Sequence, residues 1–297
     1  MCASSNKRFW VKSLISLSIL GITSCNVINP EEQAPGFIEI NGFDFDPVPT
    51  ALEMGSSSSV KIKDVWVYVD NEFQGAYQLP ARFPVLKTGN QKILLTPGIE
   101  LNGIASTRSP YPFYKGYDST QFIPENGTLT INPSARYFDA VQCAFCESFD
   151  GSGFALAPTD QSDTIMYQLA VGDSNVFEGA SSGVVYLDTS NTQFEFSSTS
   201  FYDLPGSGAA VFLEMDYKCS QEMQVGLYID VPGTGLQQIP IYNVNQTNDW
   251  NKVYIQLGYV VSTYSYSNKF KVYFKGIKNN GTERATFYFD NIKVVHF

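Results

Sequence analysis

Histidine is almost missing from this chain: His296 is the single one in 297 residues. Hydrolase triads use histidine as the base, and zinc centres commonly use it as a ligand, so neither is expected. His296 also stands at the end of the last predicted strand, a poor place for a general base. Basic residues are scarce as well, with 19 Lys and Arg against 29 Asp and Glu, a net charge of −10. An acidic surface of this kind argues against nucleic acid or anionic lipid headgroups as partners. Charged residues make up only 16% of the chain. No stretch beyond the N-terminal two dozen residues repeats apolar side chains at helical spacing, which excludes a helical bundle. The one strongly apolar run, Ser13 to Ile22, is too short to cross a bilayer, which takes about 20 residues. What remains is rich in Tyr, Phe, Thr, Ser and Gly, a strand-and-turn composition that predicts an all-β protein.

The N-terminus carries its own pattern. Lys7, Arg8 and Lys12 precede the apolar run, which ends in Ile22-Thr23-Ser24-Cys25. This resembles the lipobox of bacterial lipoprotein signals, and the resemblance implies removal of residues 1–24 and acylation of Cys25. Several acyl chains on one cysteine exceed the two-signal threshold for stable anchoring, at roughly 0.8 kcal/mol per buried methylene. Outer-membrane localisation, facing the cell surface or the periplasm, follows as an expectation. Glu31-Glu32 is similar to the sorting signals of Bacteroidota surface lipoproteins. Residues 25–57, with Pro30, Pro35, Pro47, Pro49 and the serines Ser56 to Ser59, read as a tether and lead-in. Within them Phe37-Ile-Glu-Ile40 and Phe43-Asp-Phe-Asp46 alternate well enough for short strands.

A first folded unit is expected over residues 58–135. Val60 to Val69 alternates with period two, Asp70-Asn71 forms a turn and Phe73 to Gln78 returns. Val65, Val67 and Val69 fall on one face, Trp66 and Tyr68 on the other. The order Val69-Asp-Asn71, Gly75-Ala76, a Pro-containing crossover and Gly89-Asn-Gln-Lys92 before an apolar strand resembles the PEGA-type immunoglobulin-like domain over about residues 60–104. Such domains serve as spacers or binding platforms. Arg108 to Tyr117 packs four aromatics and two prolines together, and these are expected to cover an open end of that sandwich.

Residues 136–297 read as short strands split by Gly, Ser, Asn and Asp, from Ile165–Val171 through Gly183–Leu187, Gln193–Phe196, Ala209–Tyr217, Gln224–Val231, Gln237–Ile241, Asn251–Leu257 and Lys269–Lys275 to Ala285–Val295. That spacing predicts a β-jelly roll, so the full expectation is an immunoglobulin-like β-sandwich followed by a jelly roll. The ending Ala285-Thr-Phe-Tyr-Phe-Asp-Asn-Ile-Lys-Val294, after Trp250 to Leu257 and Phe270 to Gly276, resembles the galactose-binding-like jelly rolls of carbohydrate-binding modules. The resemblance implies a structural calcium held by Glu147 or Asp150 with Asp290, since calcium takes six to eight oxygens.

Trp250, Tyr228, Tyr242 and Asn243 are the candidate sugar contacts, because aromatic faces stack on pyranose C–H faces while amides bind hydroxyls. Cys143, Cys146 and Cys219 remain after the signal region. Cys143-Ala-Phe-Cys146 opens no amphipathic helix, so a redox motif is not expected. One disulfide plus one buried thiol is the simplest arithmetic, with the pairing open. Paired carboxylates for a glycoside hydrolase are formally available, but no motif selects a pair. The expected function is non-catalytic binding of polysaccharide, or else service as an accessory subunit docked on an outer-membrane protein.

Overall fold

The computed structural model describes residues 34–46, 57–265, 267 and 269–297. The expected signal peptide, Cys25 and most of the tether lie outside the described residues. Among them no helix is long and apolar enough to cross a membrane.

The first unit runs β1 (Gly36–Ile40), β2 (Asp44–Phe45), β3 (Asp64–Val69), β4 (Glu72–Gln78), β5 (Ala81–Val85), β6 (Gly89–Glu100), β7 (Arg108–Pro110), β8 (Tyr114–Lys115), β9 (Tyr117–Ile123), β10 (Thr128–Ile131) and β11 (Ser134–Tyr137). Period-two alternation turns Val65, Val67 and Val69 inward, as the sequence predicts, against Ile93 and Leu95 of β6. Asp70 and Asn71 take positive φ, 50° and 64°, which suits the right-handed twist of the β3–β4 hairpin. One sheet has the order β4-β3-β6-β7 with β9 also on β6, and a second has the order β10-β1-β5. The expected lead-in is corrected here: β1 is hydrogen-bonded on both edges, and Ile38 and Ile40 are fully buried in this core. Their alternation with Phe37 and Glu39 makes the segment a core strand of the sandwich.

The second unit runs β12 (Gln142–Glu147), β13 (Leu156–Pro158), β14 (Tyr167–Gln168), β15 (Gly183–Leu187), β16 (Gln193–Ser198), β17 (Val211–Cys219), β18 (Met223–Val231), β19 (Gly235–Val244), β20 (Thr247–Gln256), the short helix α1 (Gly258–Thr263), β21 (Phe270–Ile277) and β22 (Ala285–His296). Two sheets face each other as a jelly roll. One is β14-β15-β22-β17-β20, with β12 pairing the C-terminal half of β22. The other is β13-β16-β21-β18-β19. Inward side chains from both, including Leu213, Met215, Leu227, Ile229, Phe274 and Phe287, form the largest core. The expected strand from Ile165 to Val171 shrinks to β14, because Ile165 and Val171 project into solvent at the sheet edge.

Candidate functional site

A jelly roll offers two broad outer faces, and here the first unit covers one of them. Phe212, Tyr254 and Val295 project outward from the β17–β20–β22 side and pack against Ile99, Tyr111, Phe113 and Tyr114. Tyr111, Phe113 and Tyr114 of the aromatic stretch thus cover the neighbouring jelly roll as well as Ile99 of their own unit, while Tyr117 packs on the core of its own sandwich, as expected. Charged side chains are buried at the same seam. Tyr111 Oη donates to Glu214 Oε1 at 2.6 Å, Tyr137 Oη to Glu214 Oε2 at 2.8 Å and Ser59 Oγ to Asp216 Oδ1 at 2.7 Å. Lys252 Nζ lies 3.4 Å from Asp216 and 3.7 Å from Glu214. Every buried carboxylate in this group has a partner, as its desolvation requires. Burial, and next the charge of Glu214, pushes Tyr111, Tyr114, Tyr137 and Tyr254 well above the ordinary tyrosine value. Burial likewise lowers Lys293 to about 8.

Among the described residues, the outer face of β13-β16-β21-β18-β19 is the one left open. Alternation in β18 turns Val225, Leu227 and Ile229 inward and leaves Gln224, Gly226, Tyr228 and Asp230 outward. In β21 the outward residues are Lys271, Tyr273 and Lys275, and in β16 they are Gln193, Glu195 and Ser197. Glu195 anchors this face. It is fully buried, and its carboxylate accepts from Thr159 Oγ1 at 2.8 Å, Gln238 Nε2 at 2.9 Å, Lys275 Nζ at 3.1 Å and the Tyr228 hydroxyl. Burial alone would raise its carboxyl, but the bonds from Tyr228, Gln238, Lys275 and Thr159 outweigh that and hold it below the usual carboxylate range. The same contact, after burial, drives the Tyr228 hydroxyl upward.

Tyr228 of this network forms a tilted ring pair with Tyr273. Tyr228 and Tyr273 have centroids 5.1 Å apart at 50°, and burial pushes Tyr273 up to about 12. The Tyr273 ring lies over Gly226, where an added Cβ would stand 2.5 Å from Tyr273 Cε1. Tyr273 Oη donates to Gln224 Oε1 at 2.9 Å, and Asn243 Nδ2 donates to Glu222 Oε1 at 2.9 Å. Lys271 Nζ stands 4.7 Å over the Phe201 ring at one end of the face, where Phe201 and Leu236 are exposed. The result is a fixed array of amides, hydroxyls and ring surfaces. Such an array can offer oriented hydrogen bonds and ring surfaces to a ligand, with its polar groups already pre-positioned.

The four candidate sugar contacts are divided by the fold. Tyr228 and Asn243 stand on the open face. Tyr242 does not: it sits opposite the inward-facing Val225 and packs on the core, because a bulge between Val225 and Gly226 shifts the phase of β19. Trp250 lies on the other sheet, its ring tilted at 41° to that of Phe177 with centroids 5.0 Å apart, and it lines a cleft of about 260 Å³ with Ser59, Lys61 and Asn251 at the seam. Glu195, Gln224, Gln238, Tyr273 and Lys275 were missed. The period-two pattern of their strands places each outward, so the signal was present without the pairing that gathers them.

Other expected residues occupy separate places. Glu147 accepts the Phe149 amide at 2.8 Å, Asp150 accepts the Ala180 amide at 2.6 Å and Asp290 accepts Ser182 Oγ at 2.6 Å. Among the described residues no group of three or more His, Cys, Asp or Glu could hold a metal ion. Each of these three carboxylates accepts loop N–H or hydroxyl donors. Cys143 is bonded to Cys146, and Cys219 is a buried thiol that burial pushes up to about 11. The His296 ring contacts the Phe297 carbonyl at 2.8 Å.

These features define an all-β protein whose jelly roll presents one open, hydrogen-bonded sheet face. No family model and no curated protein matches the sequence. Among solved structures, the chain is similar to a carbohydrate-binding module of the β-sandwich superfamily, at 13% identity and a TM-score of 0.40, covering 89% of this chain and 99% of that one. It is similar to the C-terminal family 22 carbohydrate-binding module of Clostridium thermocellum Xyn10B at 12% identity and a TM-score of 0.37, covering 52% and 92%. It is also similar to the enzymatically active domain of tailspike protein 4 of bacteriophage CBA120 at 14% identity and a TM-score of 0.34, covering 47% of this chain and only 18% of that chain.

Proposed function

We propose that this protein is a lipid-anchored envelope module that binds glycan, without catalysis, on the open face of β13-β16-β21-β18-β19. The observation that carries the reading is the Glu195 network on that face, flanked by Tyr228 and Tyr273. Sugar hydroxyls both donate and accept, which suits a surface alternating carboxylate, amide and ammonium groups around ring faces. The lipobox-like run before Cys25 supports membrane attachment, with the outer membrane as the proposed location.

A glycan array probed with the purified protein is the test. Binding to at least one neutral polysaccharide is expected, reduced about tenfold or more by Tyr228→Ala or Gln238→Ala. A blank array, or binding that survives both substitutions, would overturn the assignment of this face.

A further inference from the structure

A second concavity lies apart from the open face. Tyr167 of β14, Tyr186 of β15, Asp188 and Asn191 of the following turn, Thr164 and Arg284 line a cleft of about 380 Å³. That volume falls in the range of small-molecule sites, roughly 300–1,000 Å³. Arg284 is held in place, with its guanidinium carbon 4.1 Å over the Tyr186 ring. It is exposed, stands close enough to Asp188 for its charge to act on that carboxylate, and has no hydrogen-bond acceptor among the described residues. Asp188 Oδ1 accepts the Ser190 amide at 2.7 Å and the Asn191 amide at 2.8 Å, which fixes the carboxylate while Oδ2 has no backbone donor. Tyr167, on the edge strand, is 47% exposed, and its ring centroid lies 6.1 Å from that of Tyr186. A fixed donor fork, a fixed acceptor and an exposed ring thus converge on one concave surface.

The charges choose the ligand class. The backbone bonds from Asn191 and Ser190 hold Asp188 below the usual carboxylate range, so it is ionised beside the Arg284 cation. An anionic ligand would face Asp188 and a cationic one Arg284. A neutral polyol meets neither penalty, because each hydroxyl can accept from the guanidinium and donate to the carboxylate. Since Arg284 covers Tyr186, Tyr167 is the ring left for an apolar C–H face.

We propose that this cleft is a second binding site, taking one neutral pyranose residue with its C–H face on Tyr167 and its hydroxyls between Arg284 and Asp188. The site does not depend on the open sheet, and one experiment tells them apart. Saturation-transfer NMR on the full chain would use methyl β-D-glucopyranoside, methyl β-D-galactopyranoside, methyl β-D-xylopyranoside and methyl α-D-mannopyranoside as probes, with D-glucuronate and D-glucosamine as charged controls. At least one neutral glycoside is expected to show transfer. The open sheet is silenced by making the measurement in a Tyr228→Ala, Gln238→Ala background; transfer should persist there, and adding Arg284→Ala or Tyr167→Ala should each weaken it about tenfold. Arg284 and Tyr167 are exposed, so unchanged melting temperatures should accompany both losses. The proposal is overturned if no neutral glycoside shows transfer in that background, if a charged control binds more tightly there, or if Arg284→Ala and Tyr167→Ala have no effect on it.

Discussion

Asp290 sits on β22 with its carboxylate taking Ser182 Oγ at 2.6 Å, the Asn291 amide at 2.8 Å and the Glu178 amide at 3.4 Å. Burial nevertheless dominates those bonds and raises its carboxyl to about 7. A carboxyl raised on folding binds its proton more tightly in the native state, so its stabilising effect is full below the unfolded value and is lost as pH climbs toward 7. Asp290→Asn removes that loss. Denaturation of both proteins at about pH 4.5 and about pH 7.5 should show wild type falling relative to the variant by about 3 kcal/mol, at 1.36 kcal/mol per pKa unit. Parallel stabilities across the two pH values would contradict the raised carboxyl. The identity of Asp290 was legible in the Phe-Asp-Asn-Ile run, but its environment was not. Ser182 and Glu178 stand 108 and 112 residues away, and only folding sets them against it. Glu195 shows the same separation between identity and role. Phe194-Glu195-Phe196 alternates plainly, yet the partners that bury its carboxylate come from positions 36, 33, 43 and 80 residues distant.

Strands were the most legible elements because alternation is local and a buried sheet demands it. The β18 and β21 patterns can be read directly from Met223-Gln-Val-Gly-Leu-Tyr-Ile and Phe270-Lys-Val-Tyr-Phe. Register was not legible. The β19 bulge adds a residue opposite Val225 and Gly226, sends Tyr242 to the core side and keeps Asn243 outward. No local pattern announces that step. Gly226 belongs to the same strand pair, and its missing side chain leaves room for the Tyr273 ring and the Ile239 carbonyl. Gly226→Ala is expected to destabilise the protein by about 1–3 kcal/mol through overpacking and to displace Tyr273 from the open face. Thermal melting together with polysaccharide affinity checks this: an unchanged melting temperature with unchanged affinity would show that the ring is not seated against Gly226.

Two sandwiches joined through a buried seam give the molecule its polarity. Tyr111, Phe113 and Tyr114 close one outer face of the jelly roll, and the two proposed binding sites lie elsewhere, on the other face and in the cleft beside Arg284. The proposed anchor extends this to the membrane. Cys25→Ser should shift the protein from the membrane to the soluble fraction on cell fractionation, and retention in the membrane would show that the signal-like run does not direct acylation. The sequence by itself determined the all-β class, the positions of most long strands and the inward or outward facing of their residues, because these follow from period-two alternation between neighbours. Only the tertiary structure decided which outer face is covered, which carboxylates are buried with partners and which aromatics share a surface. Those outcomes depend on residues far apart in the chain meeting across sheets, and no local periodicity records such meetings.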